Sequence, residues 1–190
     1  ESGNWSQIII VHDVCDMMIV TSMLCFNWLI AWVLFNYHPF YDLAPFTPIE
    51  GILFVASVGY NAWSIFNMVA HLTSGATLSF ILKSISRLLL GFIQTFVISK
   101  AFGHSLHSDG YTWRKYVGQS LAFIVVCNAG LALNEIFFTS TETIEFEMLF
   151  SKRVWTVITS LTHSLEVLYF FHSSICFLDI YLKYQQDATV

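Results

Sequence analysis

The chain has 190 residues, of which 56% are hydrophobic and only 11% are charged, whereas about a quarter of the residues in a soluble domain are charged. This composition excludes an ordinary soluble domain and predicts an all-α, polytopic membrane protein. The formal net charge of -5, without any basic cluster, argues against nucleic acid as a partner.

Five apolar runs are long enough to cross a bilayer, which requires about 20 residues in a helix. Because backbone polar groups in lipid must be satisfied within their own segment, these runs are predicted to be α-helices. We place them near residues 7–36, 47–72, 77–102, 114–138 and 153–183, in a single transmembrane bundle over 1–190. Since Glu1 is not a methionine and the number of spans is odd, we expect a piece of a longer protein.

The first helix follows Asn4, which lies in the sequon Asn-Trp-Ser and is a candidate glycosylation site. Within this helix, His12, Asp16 and Asn27 fall within about 60° of one another on a helical wheel. Two interpretations stay open. His12 and Asp16 form a satisfied pair one turn apart, or they line an outer vestibule that attracts cations.

The charges at the helix ends predict the orientation. Arg114 and Lys115 precede the fourth helix, whereas the connection after it carries three glutamates. Because basic residues favour the cytosolic side, we expect a multi-pass protein of the cell membrane with an extracellular N-terminus and a cytosolic C-terminus. Lys152 and Arg153 disagree with this orientation but adjoin those glutamates.

The third helix carries a narrow polar line, because Lys83, Arg87 and Gln94 fall within about 40° on a helical wheel. Lys83 is close enough to the outer end to snorkel, whereas Arg87 lies about 15 Å inside by the helical rise and needs a counter-charge. Glu166 of the fifth helix lies at a depth of about 20 Å, measured by the helical rise from the same side of the membrane. Arg87 and Lys83 are therefore candidate intramembrane charge partners of Glu166.

The fourth helix places Asn128 near its middle and Glu135 on the same stripe, while Gln119 faces the opposite way. A buried asparagine must find partners for both ends of its amide. The fifth helix offers Tyr169 and Glu166 as candidate partners.

The fifth helix holds more ionisable groups than a simple anchor would, at a cost of about 3 kcal/mol each in hydrocarbon. Glu166, Tyr169 and His172 fall within an arc of about 120°, Asp179 returns close to His172, and His163 points the other way. These groups either hold the bundle together or line an ion or proton path.

The cysteines lie inside the predicted helices, and no CxxC pair is present. They are expected to be small apolar packing groups, so we predict no disulfide framework, no metal site and no cofactor. The four residues are Cys15, Cys25, Cys127 and Cys176.

Three segments, at 91–98, 121–133 and 168–181, carry these polar residues in a characteristic order. They resemble the Q-(T/N)-x-F-(I/V), L-L-x-C-N-x-x-L-W and terminal F-Y-R-x-H-S-x-x-x-L-F-E segments of the otopetrin family of proton channels. The resemblance covers the second half of the chain. The sequence departs from the family pattern at Leu90, Ala132, Ser164 and Phe170.

Otopetrins have twelve membrane helices and form homodimers, so the resemblance implies that this chain is the last five helices of a channel and not an enzyme. It implies protons as the transported partner, the lipid bilayer as surroundings and a sterol as a further candidate lipid. The resemblance also implies a buried cluster of Gln94, Asn128 and Tyr169 that lines or gates the path. Glu166 and His172 are candidate proton relays, because burial and neighbours tune their protonation.

Two other functions stay open. One is a non-conducting receptor or scaffold bundle. The other is a membrane haem redox protein, although bis-histidine ligation needs two histidines at equal depth and no two of the candidates match. Those candidates are His12, His71, His163 and His172. For Glu166, a depth difference of about 5 Å from Arg87 favours a protonated relay over an ion pair.

Overall fold

The computed structural model describes residues 2–37, 48–74, 78–103, 111–138 and 152–187, and all of these are α-helical. The helices are α1 (Ser2–Tyr37), α2 (Pro48–Ser74), α3 (Leu78–Gly103), α4 (Tyr111–Phe138) and α5 (Lys152–Asp187). Each contains a stretch long and apolar enough to cross a membrane. The predicted all-α class with five helices is therefore confirmed.

The helix bounds differ most from the prediction at the two ends of the chain. The first helix, predicted from residue 7, begins at Ser2, and the last, predicted to end at residue 183, continues to Asp187. In both places the added residues are largely polar, so a search for apolar runs does not detect them. The apolar stretches within these two helices are Val14–Asn36 and Thr156–Gln186.

The helices pack as a closed ring in which each contacts two neighbours, in the order α1, α3, α2, α5, α4 and back to α1. Helices α3 and α5 also contact each other across this ring. The outward faces carry large apolar side chains such as Met18, Trp28, Val126 and Leu161. Charged and amide side chains are buried inside. This is the distribution expected of a bundle surrounded by lipid.

Two glycines let the helices approach closely. A Cβ atom on Gly59 of α2 would clash with Leu165 of α5. A Cβ atom on Gly91 of α3 would lie 2.6 Å from Asn61 Oδ1 and 2.8 Å from the ring of Tyr60, both on α2. The small residues of α2 and α3 thus allow the backbones to come together, as is typical of membrane helix packing.

Several buried side-chain donors are satisfied by their own helix. The side-chain amides of Asn27 and Asn61 donate to the carbonyl oxygens of Met23 and Ser57, at 2.9 and 2.8 Å. Thr162 donates in the same way to Ile158, at 2.7 Å. Such bonds to the carbonyl four residues earlier satisfy a donor without another helix, whereas the buried Oδ1 atoms of Asn27 and Asn61 have no hydrogen-bond partner among the described residues.

Candidate functional site

Arg87 of α3 binds carboxylates from three other helices. Its Nη2 donates to Asp16 Oδ2 of α1 at 2.9 Å and to Glu135 Oε1 of α4 at 3.2 Å. Its Nη1 donates to Glu166 Oε1 of α5 at 3.2 Å. One turn earlier on α3, Lys83 Nζ lies 3.3 Å from Asp16 Oδ2. We call these five residues the charge cluster.

The charge cluster lies inside the bundle. The side chain of Glu166 is fully inaccessible, that of Asp16 is 2% exposed, and those of Arg87 and Lys83 are each 11% exposed. Burying charges is expensive unless they are paired with good geometry. The planar guanidinium has five N–H donors, so a single arginine can hold several carboxylates, which a lysine ammonium does less well.

The charge cluster contains more acids than bases. With every group ionised, its three carboxylates and two cations leave one excess negative charge. In a low-dielectric interior an uncompensated charge costs several kcal/mol. The cluster therefore favours one additional positive charge, either a proton on a carboxylate or a neighbouring cation.

His163 lies beside this cluster. One ligand atom each from Glu135, His163 and Glu166 can be chosen so that all three lie within 4.8 Å of one another. The prediction that His163 points away from Glu166 is therefore wrong. The reason is that residues three apart on a helix are separated by only about 60°, so long side chains from both can reach the same space. The prediction of no metal site did not anticipate this grouping.

Gln94 and Asn128 form a second buried polar pair deeper in the bundle. Gln94 Nε2 donates to Asn128 Oδ1 at 2.9 Å, and Asn128 Nδ2 donates to the carbonyl of Ile124 at 3.0 Å. Both side chains belong to fully buried residues. Both ends of the asparagine amide are thereby satisfied. The candidate partners on α5, Tyr169 and Glu166, are therefore replaced by Gln94 of α3, which the family resemblance had grouped with Asn128.

The amide pair joins the same two helices as the Arg87–Glu135 contact, about two helical turns away from it. Gln94 follows Arg87 by seven residues on α3, and Asn128 precedes Glu135 by seven on α4. Seven residues are about two helical turns, or about 10 Å. Because the steps run in opposite sequence directions, α3 and α4 are antiparallel. Buried Leu90 and Leu131 occupy the intervening positions on these helices.

Tyr169 is also fully buried, but its hydrogen-bond partners are other residues. Its hydroxyl donates to the carbonyl of Gly91 at 3.0 Å and lies 3.2 Å from Thr95 Oγ1, so the Thr95 hydroxyl donates to it. Its ring stacks on Tyr60 of α2 with centroids 4.7 Å apart. In the described part of the chain, the expected cluster of Gln94, Asn128 and Tyr169 is thus an amide pair plus a tyrosine held by the adjacent face of α3.

The remaining predicted site residues lie apart from the charge cluster. His172 is half-buried, and its Nε2 lies 3.2 Å from the carbonyl oxygen of Ile49, at the start of α2. Asp179 is partly exposed and pairs with Lys183 at 2.8 Å, one turn later on α5. Neither contributes to the interior charges.

The prediction for the outer vestibule requires correction. Asp16 is 3% exposed and bound to Arg87 and Lys83, so it belongs to the interior and not to an open vestibule. The expectation that Lys83 snorkels outward is replaced by its contact with Asp16. The side chains of His12 and Asn4 lie outside the described residues.

The sequence interpretation missed Asp16 and Glu135 as partners of Arg87. A signal was present for both, since each was recognised as lying on a polar stripe of its helix, although Asp16 was assigned to the outer surface. What was missing was the order of the helices around the ring, which brings α1 and α4 to the same side of α3 and α5.

In comparisons with known proteins, the chain matches no family model, no curated protein and no solved structure. Its function must therefore be inferred from the buried polar groups themselves.

Proposed function

We propose that this chain is part of a proton-conducting membrane channel, of the otopetrin-like kind that its second half resembles. The observation that carries the proposal is the charge cluster, in which Arg87 binds carboxylates from three other helices. Ionisable residues inside membrane spans are costly and typically belong to ion pathways or proton relays.

The excess of one carboxylate supports proton binding. A proton on Asp16, Glu135 or Glu166 makes the five-residue cluster neutral. All three carboxylates have an oxygen within 3.2 Å of the same guanidinium. The proton can therefore move from one carboxylate to another while Arg87 keeps its position. Glu166 is the central candidate, because it is the most deeply buried of the three acids.

The Gln94–Asn128 pair supplies the next polar groups along the proposed path. Neutral amides do not accept protons near neutral pH, but they orient water through donors and acceptors. Buried Leu90 and Leu131 lie between this pair and the charge cluster along α3 and α4. Apolar constrictions in channels close the path by excluding water. We therefore assign gating to the entry of water between Leu90 and Leu131. His172 is the proposed relay toward the opposite end of α5.

The cellular setting is part of the same proposal. The chain is a multi-pass protein of the cell membrane, with its N-terminus extracellular and its C-terminus cytosolic, and it assembles as a homodimer. Five helices long and apolar enough to cross a bilayer support the membrane assignment.

The proposal is tested by proton flux into liposomes that contain the full-length protein and a pH-sensitive dye. We expect an imposed pH gradient to collapse faster in these liposomes than in protein-free ones. Glu166→Gln should remove the effect, whereas Gln119→Ala, at an exposed position on α4, should leave it unchanged. Equal collapse with and without protein would contradict the proposal.

A non-conducting receptor or scaffold is the second candidate, and one observation favours it. Arg87 connects α3 to α1, α4 and α5, so the charge cluster also holds four helices together. A protein that folds only with the cluster intact and carries no proton flux would be such a scaffold.

A membrane haem protein is the remaining alternative, and a Soret absorption band in the purified protein would indicate it. Of the candidate haem ligands, His71 stacks on Phe80, and His172 Nε2 lies near the carbonyl oxygen of Ile49.

A further inference from the structure

We propose that Glu135, His163 and Glu166 form a Zn²⁺-binding site at the edge of the charge cluster. The three residues lie on the packed helices α4 and α5, with their ligand atoms within 4.8 Å of one another. His163 and Glu166 are one turn apart on α5, and Glu135 faces them from α4. The inference stands on this geometry and does not depend on proton transport.

The donor set fits zinc better than magnesium or calcium. One imidazole nitrogen and two carboxylate oxygens, with a water as the fourth ligand, give the ligand number of an open zinc site from donor types that zinc accepts. Magnesium and calcium prefer all-oxygen surroundings with six or more ligands. At zinc bond lengths near 2.0 Å, tetrahedral ligand atoms are separated by about 3.4 Å, so the ligand atoms, which lie within 4.8 Å of one another, must approach by at most about 1.4 Å. Rotation of the glutamate side chains can supply that movement.

The imidazole gives a second, independent indication of a ligand. His163 Nδ1 is a buried atom and has no hydrogen-bond partner among the described residues. Buried polar atoms in proteins are normally paired, and an exception calls for an explanation such as an ion or a water. A zinc ion bound by the imidazole, or a water in its coordination sphere, would satisfy this nitrogen.

The electrostatics of the site are compatible with a cation despite Arg87. The charge cluster carries one more acid than base, and both glutamates contact Arg87 through Oε1. Each carboxylate has two oxygens, so it can bind the guanidinium through one and a metal through the other. Glu135 is three residues from Phe138, where α4 ends, so the site lies near one end of this helix.

The test is zinc binding to the full-length protein, purified in detergent and stripped with a chelator. Isothermal titration should detect one Zn²⁺ per chain. His163→Asn should weaken binding at least about tenfold, because one of three protein ligands is lost. His172→Asn is the matched control on the same helix and should bind like the wild type. His163→Cys should retain binding, since a thiolate is also a zinc ligand.

A separate spectroscopic measurement keeps the test decisive if a variant is unstable. Co²⁺ bound to the wild-type protein should give the visible absorption of a four-coordinate nitrogen and oxygen site, and Zn²⁺ should displace it. The proposal is overturned if the wild type binds no Zn²⁺, if His163→Asn binds it as tightly as the wild type, or if Mg²⁺ competes at equal concentration.

Discussion

Arg87 Nη1 of α3 and Glu166 Oε1 of α5 lie 3.2 Å apart inside the bundle. Helical rise alone placed the two residues at depths about 5 Å apart, which argued against a pair. That depth argument is wrong, because the extended arginine and glutamate side chains span the difference. Glu166 is therefore an ion-pair partner in the structure, and its proposed role as a proton carrier must operate from within this pair.

Glu166→Gln should be tolerated structurally while abolishing proton flux. Arg87 keeps Asp16 and Glu135 after the change, and two acids then balance two bases in the cluster. The loss of one charged hydrogen bond costs about 1.5 to 3 kcal/mol. We expect near-normal elution on size-exclusion chromatography together with no flux in liposomes. Aggregation of Glu166→Gln that is repaired by adding Arg87→Gln would instead show that the pair is purely structural.

Arg87→Gln should be the most damaging change in the cluster. It leaves three carboxylates with Lys83 as their only cation in the cluster, and breaking a buried pair in this way costs about 3 to 5 kcal/mol. Thermal unfolding followed by helical circular dichroism would measure the loss. Arg87→Lys is the control. An ammonium group cannot reproduce the planar donor geometry of the guanidinium, so we expect Arg87→Lys to recover little of the lost stability. Wild-type stability of Arg87→Lys would refute this explanation.

Asn128→Ala should destabilise the protein more than Gln119→Ala. The first change leaves the buried Gln94 amide without its partner, at a cost of about 1 to 3 kcal/mol, whereas Gln119 is exposed on the same helix. Combining Asn128→Ala with Gln94→Ala should cost less than the sum of the single changes, since the two side chains bond each other. Additive losses in thermal unfolding would mean that the hydrogen bond contributes little.

Gly91→Ala should disturb the packing of α3 on α2, because the added Cβ would lie 2.6 Å from Asn61 Oδ1. Gly130 of α4 is the matched control, since a Cβ atom there would meet nothing within 4 Å. Gly130→Ala should be neutral or stabilising by up to about 1 kcal/mol, the difference in helix propensity. Lower melting temperature for Gly91→Ala alone is the expected result, and similar behaviour of both variants would argue against the close approach.

The predicted orientation places Asn4 outside the cell and Val190 in the cytosol, because Arg114 and Lys115 flank a cytosolic connection. Antibody against a C-terminal tag should label cells only after permeabilisation. A glycosidase-sensitive mass shift that disappears in Asn4→Gln would support the same topology. Labelling of the tag on intact cells would reverse it.

The sequence by itself determined the five helices and most of their buried polar stripes. Length and apolarity are local properties of a segment, and a backbone in lipid has few alternatives to a helix. The same local reasoning, from helical angles, marked Arg87, Gln94, Asn128 and Glu166 as interior groups. Helical angles tell which way a side chain faces, and in these cases the facing direction agreed with burial in the structure.

Only the tertiary structure decided which of these groups meet. The ring order of the helices brings Asp16 and Glu135 to Arg87, pairs Asn128 with Gln94, and sets His163 beside Glu135 and Glu166. That order depends on contacts between segments distant in the chain, such as the fit of Gly91 against Tyr60 and Asn61. No helical wheel contains this information, because each wheel describes one helix, whereas a buried charge is neutralised by groups from several.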